Sequence, residues 1–155
     1  MHALGRAPRL IHLCGFGATH SGSFIPMLSS ILRAARERGW AVEAVFPPRA
    51  AERYWLEHLR EAGIACRIAP GASRRELART SRRELARWIS AMLDESPAPT
   101  ILHTHFSSYD DPAVLAKRRR GDVVVVWHVH TVLASSPSVY LTNLARFSLF
   151  ARSVD

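Results

Sequence analysis

Cysteine is scarce: Cys14 and Cys66 are the only two in 155 residues. Both fall in stretches that read as strands, the pattern of buried free thiols in a reducing cytosol rather than of a disulfide framework. No apolar run is long enough to cross a bilayer, and residues 1–17 lack a signal-peptide cleavage pattern, so the expected location is cytoplasmic. Polar and low-complexity tracts are missing, which argues against disorder. There is no Gly-Lys-Ser or Gly-Lys-Thr, which excludes a P-loop. A Gly-x-Ser-x-Gly nucleophile elbow is also absent. Acidic residues are few, 13 against 21 Lys and Arg, for a net charge of +8. That balance favours acidic partners, but no recognition motif for nucleic acid accompanies it, so none is expected.

A 48% hydrophobic share at this length suits one domain with a sizeable core. Arg9–Cys14 reads as a short apolar strand, followed by a glycine-rich loop from Gly15 to Gly22. Phe24, Met27, Leu28, Ile31, Leu32 and Ala35 then recur at helical spacing, predicting a helix from Ser23 to Arg38 that Gly39 ends. Trp40–Phe46 is a second strand, Ala50–Ala62 a second helix with Tyr54, Trp55 and Leu59 inward, and Ile64–Ile68 a third strand. Alternating strands and helices predict an α/β fold with a doubly wound parallel sheet.

An internal repeat follows, Ser73-Arg-Arg-Glu-Leu-Ala-Arg-Thr80 and Ser81-Arg-Arg-Glu-Leu-Ala-Arg-Trp88. It reads as one amphipathic helix to about Leu93, with Leu77, Leu85, Trp88, Ile89 and Met92 in an apolar stripe. Arg75, Arg79, Arg82, Arg83 and Arg87 crowd the other side as a candidate anionic-surface contact, at a membrane rather than at duplex DNA. Thr100–His105 predicts a fourth strand, Asp111-Pro112 the cap and first turn of a helix to Arg120, and Ser136-Pro137 the start of a last helix. Between them lies Asp122-Val-Val-Val-Val-Trp-His-Val-His-Thr131. Its valine run predicts an interior strand buried on both faces, delivering His128 and His130 to its carboxyl end.

In such sheets ligands bind at the carboxyl ends of strands. Three loops converge there: Gly15–Gly22, Phe106–Asp111 and Thr131–Ser136. The first opens a helix, a geometry that aims backbone N–H groups at an anion. It misses the dinucleotide fingerprint, however, which leaves a nicotinamide oxidoreductase a minor alternative. His20, His103, His105, His128 and His130 lie on or near this edge. With no cysteine, paired carboxylate or His-Glu-x-x-His beside them, no metal is expected.

Gly15-Phe-Gly17, Ala34-Ala-Arg-Glu-Arg-Gly39, Ile101-Leu-His-Thr-His105 and Val124-Val-Val-Trp-His-Val-His-Thr131, in that order, resemble the amino-terminal domain of family 4 GT-B glycosyltransferases over about Arg9 to Asp155. The resemblance implies a Rossmann-like acceptor-side domain, one half of a retaining, metal-independent transferase. It needs no cofactor beyond a nucleotide-sugar donor as co-substrate, and takes a sugar or lipid-linked acceptor. It assigns the transferred sugar to His130, with His128 the second candidate. Acceptor and phosphate contacts go to Gly15, Phe16, Gly17, His20, His105 and Thr131. The family's donor-binding half has no counterpart in this sequence. A missing domain or a partner chain is therefore expected to supply it, and the chain alone is expected to be inactive. The alternative is a non-catalytic module that binds an anionic membrane, at its inner face, or a phosphorylated ligand through the arginine-rich helix.

Overall fold

The computed structural model describes residues 6–70, 82–106, 108–118 and 120–128. Its first strand, β1 (Arg9–Cys14), leads into helix α1 (Phe24–Glu37). Strand β2 (Ala41–Phe46), a short 3-10 turn (Pro48–Ala50), helix α2 (Tyr54–Glu61) and strand β3 (Ala65–Ile68) follow. Helix α3 (Arg82–Asp94), strand β4 (Thr100–His105), helix α4 (Asp110–Lys117) and strand β5 (Val123–His128) complete the described elements. The sheet order is β3-β2-β1-β4-β5 with every pairing parallel, the doubly wound arrangement that alternating strands and helices predict.

Alternation along each strand divides the apolar side chains between two cores. On one face Phe24, Leu28 and Leu32 of α1 and Trp55, Leu56 and Leu59 of α2 pack with Cys14, Ala44 and Phe46. On the other, Leu85, Ile89 and Met92 of α3 and Ala113 and Val114 of α4 pack with Ile11, Leu13, Leu102, Val123 and Val125. A charged chain ties the strands together within the sheet. Arg9, 6% exposed, reaches Glu43, 8% exposed, at 3.4 Å. Glu43 also binds Arg67, which holds Glu95 at 2.6 Å.

Several expectations need correcting. The valine strand is not enclosed on both faces, since Val124 is 39% exposed, and among the described residues β5 stands at the edge of the sheet. A run of valines satisfies a one-sided strand as well as an enclosed one. Tyr54 points outward at 57% exposure, because Pro47 and Pro48 hold a separate 3-10 turn and delay α2 to Tyr54. Asp111 is not a cap. Helix α4 opens two residues earlier, at Asp110, where Thr104 donates its hydroxyl to Asp110, and buried Asp111 binds Arg82 of α3 at 3.0 Å. Ser21 or Ser23 is expected to cap α1; Ser23 takes the position, yet its side chain makes no capping hydrogen bond. The first repeat copy with Leu77, Arg75 and Arg79, the His130–Thr131 pair and the predicted last helix lie outside the described residues.

Candidate functional site

Strand order reverses between β1 and β4, so the loops leaving their carboxyl ends diverge from adjacent points and frame a crevice. The two loops are stitched at their base. Gly15 donates its N–H to the His105 carbonyl at 3.0 Å. A Cβ on Gly15 would meet Ser108 Oγ at 2.9 Å and the Phe106 carbonyl oxygen at 3.1 Å, so the close approach requires glycine. Phe106 turns the second loop with a left-handed φ of 63°. Phe16 anchors the first loop among Phe24, Trp55 and Phe106, with ring centroids 5.0–5.7 Å apart. The Trp55 indole N–H donates to the Ala18 carbonyl at 3.1 Å. Arg49, just after β2, lies against Gly17 and donates to the Gly15 carbonyl at 3.2 Å. A backbone-lined rim with an exposed guanidinium beside it suits an anion.

Beneath this rim lies a cluster of histidines on one sheet face. His12 pairs in register with His103, Cys14 with His105, and His105 with His128. With a side-chain period of two, all four imidazoles emerge on the α1 side. His12 and His105 are fully buried, and their Nδ1 and Nε2 atoms are 2.8 Å apart in a hydrogen bond. His103 is half-buried, its ring centroid 4.6 Å from that of His12 and 4.4 Å from that of His105. His128 stacks on His103 at 5.5 Å and 13°, and Phe24 closes edge-on over His105 at 5.2 Å. Burial, reinforced by the charges His103 and His128 would carry, holds the His12 pKa down to about 3, so its ring is neutral. Burial also raises both thiols, Cys14 well above the ordinary range and Cys66 to about 11, so neither is a thiolate nucleophile.

Among the expected site residues, Gly15, Phe16 and Gly17 do come together at the rim with the β4 loop. His20 is exposed on the first loop, and His105 sits below the rim as a buried support. His128 ends β5, two strands from β1. Two residues escape the sequence reading. His12 hides in a strand that looks simply apolar, although the alternation Leu10, His12, Cys14 places it on the face of its final cysteine. Arg49 had no signal beyond following Pro47-Pro48. Of the arginines on α3, Arg82 is engaged with Asp111, while Arg83 and Arg87 line a groove of about 730 Å³ with Arg118 and Arg120. That groove lies where β5 begins, at the opposite end of the sheet from the rim.

The fold has known counterparts. A glycosyltransferase from Rickettsia africae ESF-5 superposes with a TM-score of 0.60 at 11% identity, over 97% of this chain and 41% of that one. This chain therefore spans less than half the length of that enzyme, and the likeness at such identity is one of fold. The MT0777 structure (TM-score 0.42, 13% identity, 91% of this chain and 96% of that one) is more distant. So is the FMN-dependent cysteine decarboxylase TvaF of thioviridamide biosynthesis (TM-score 0.36, 15% identity, 93% and 99%). No curated protein matches by sequence. The glycosyl transferase 4-like domain matches residues 26–154, most of the chain. Taken with the Rossmann-like sheet, that match assigns the chain to the glycosyl transferase 4-like domain family.

Proposed function

We propose that this domain is the acceptor-side half of a retaining, metal-independent glycosyltransferase that uses a nucleotide-sugar donor. The observation that carries the reading is the stitched pair of loops at the switch point. Gly15 and the Phe106–Ser108 turn there hold an open, backbone-lined rim beside Arg49. In transfer, the bond from the anomeric carbon to the diphosphate oxygen breaks and the acceptor oxygen takes that carbon on the same face. The acceptor's proton leaves with the diphosphate. The chain's part is to orient the acceptor and to meet the developing negative charge with N–H groups and a guanidinium. His130 faces the transferred sugar, with His128 as the second candidate; Gly15, Phe16, Gly17, His20 and Thr131 contact acceptor and phosphate. A donor-binding half, in the same polypeptide or in a partner, closes the cleft.

The test is a transfer assay over a panel of labelled nucleotide sugars, with this chain alone and with a donor-binding half supplied. Transfer should be negligible alone and restored by the second half. His130→Ala should then lower kcat by about 10²-fold with an unchanged melting temperature, the scale of losing one transition-state contact. Full turnover by the isolated chain would overturn the half-enzyme reading, and an unchanged rate in the variant would remove the His130 assignment.

A second reading draws on the arginine-lined groove between α3 and α4, which suits an anionic membrane surface. Sedimentation with anionic and with neutral liposomes separates it from the first. Binding should be salt-sensitive, require anionic lipid and fall several-fold in Arg83→Glu/Arg87→Glu. Equal sedimentation with both vesicle types defeats it.

A further inference from the structure

We propose that His12, His103 and His105 form a binding site for a divalent first-row transition-metal ion of the Zn2+ type. Each would give one ring nitrogen, fastening β1 to β4 beneath the glycine loop. This goes beyond sugar transfer and does not depend on it, because the ion is given no part in that step.

Three observations carry the inference. One ring nitrogen from each of the three residues lies within 4.8 Å of the others. Ligands around a tetrahedral ion at about 2.0–2.1 Å stand roughly 3.3 Å apart, so closure requires only a slight turn of side chains already in place. Second, His12 Nε2 is buried and finds no hydrogen-bond partner among the described residues. Buried polar atoms are nearly always paired, and a buried imidazole nitrogen without such a partner, set in a nest of imidazoles, is placed to ligate an ion. Third, the rings are held by the fold rather than by chance. Parallel register sets His12 against His103, while His128 stacked on His103 and Phe24 edge-on to His105 restrict their rotation.

The chemistry is consistent with that geometry. Imidazole ligates as the neutral ring. No net proton need be lost from the rings. With His12 Nε2 as its ligand atom, the ring's N–H stays on Nδ1, and His105 offers its bare Nε2 to the ion in place of the hydrogen bond it now accepts. Three neutral imidazoles with one open position is the donor set of tri-histidine zinc sites, where the fourth ligand is water. Its ionisation to hydroxide would reduce the charge brought into the core. No carboxylate is among the grouped ligands, which disfavours Mg2+ and Ca2+. His103, the half-buried member, gives the ion its way in.

The test uses the full chain stripped by a chelator and titrated calorimetrically with Zn2+, then with Co2+ while the visible spectrum is followed. One ion per chain should bind, Zn2+ should raise the melting temperature, and Co2+ should give d–d bands of a low-coordinate nitrogen site. His103→Ala should weaken binding at least 100-fold and lose the Co2+ bands. His12→Asn, whose amide can still hydrogen-bond to His105, provides a second variant should the first fail to fold. His58→Ala, on the exposed face of α2, should bind as the parent does. Stoichiometry well below one, Mg2+ competing equally, or Zn2+ affinity retained in both His103→Ala and His12→Asn would overturn the proposal. None of these outcomes bears on sugar transfer, which is read separately.

Discussion

His12 shows how one residue's setting becomes a property measurable in solution. Its pKa falls from 6.5 toward about 3 on folding, chiefly by desolvation. Between those values the unfolded chain binds more protons than the folded one, so stability rises with pH across the window. The contribution is complete above about pH 6.5 and is lost as pH falls toward 3. Its slope is about 1.4 kcal/mol per pH unit. Urea unfolding of chelator-treated protein at pH 7, 5.5 and 4.5 should show a steeper loss for the parent than for His12→Asn. Comparing the two cancels the carboxylates, which titrate in both; parallel slopes would count against a neutral, buried His12. Nothing in the local sequence announces this role. The same holds for Arg9, Glu43, Arg67 and Glu95, which read as scattered solvated charges until strand register sets them side by side.

At the level of elements, much was legible because each carries its own period. The limits of β1 and β4 are those the sequence predicts, and α1, β2 and β3 shift by only a residue or so. Helix α2 is the larger miss: Pro48–Ala50 is a turn of its own, which rotates the helix and puts Tyr54 outside. For β5, valine repetition cannot report how many neighbours a strand has. The rim was legible as glycine beside a strand end, but its partner loop was not, since only the β1–β4 pairing brings Ser108 to Gly15. That contact gives a prediction at this scale. Gly15→Ala places a methyl 2.9 Å from Ser108 Oγ and 3.1 Å from a backbone oxygen, and the backbone cannot swing aside as a side chain can. Overpacking of this kind costs about 1–3 kcal/mol. In a complete two-half enzyme the larger effect should fall on the acceptor KM, because the displaced loops are the proposed acceptor wall. Gly17→Ala should be milder in stability, as the atoms it meets belong to the exposed Arg49 side chain. Equal melting temperatures for Gly15→Ala and the parent would show that the loops are not braced there.

For the molecule as a whole, the decisive feature is that two cores on opposite sides of the sheet share the same strands. β1 sends Ile11 and Leu13 into one core and Cys14 into the other, and β2 divides Val45 from Ala44 and Phe46 in the same way. Neither core can dissolve while the sheet between them stays ordered, so the domain should unfold in a single step. Two tryptophans allow the point to be checked: Trp55 is buried with α1 and α2, and Trp88 packs against the core of α3 and α4. Leu28→Ala and Leu102→Ala each empty a fully buried position, one on either side. Each should cost about 2–5 kcal/mol. Because the two sites share no contacts within a core, the double variant should lose nearly the sum. In variants that keep Trp55 or Trp88 as the sole tryptophan of the four, each replacement should move both fluorescence transitions by the same denaturant increment. A transition that moves at Trp55 but not at Trp88 when Leu28 is truncated would mean that the two faces melt separately. The switch point would then be a seam between independent layers, not a fixed edge able to hold one wall of a cleft.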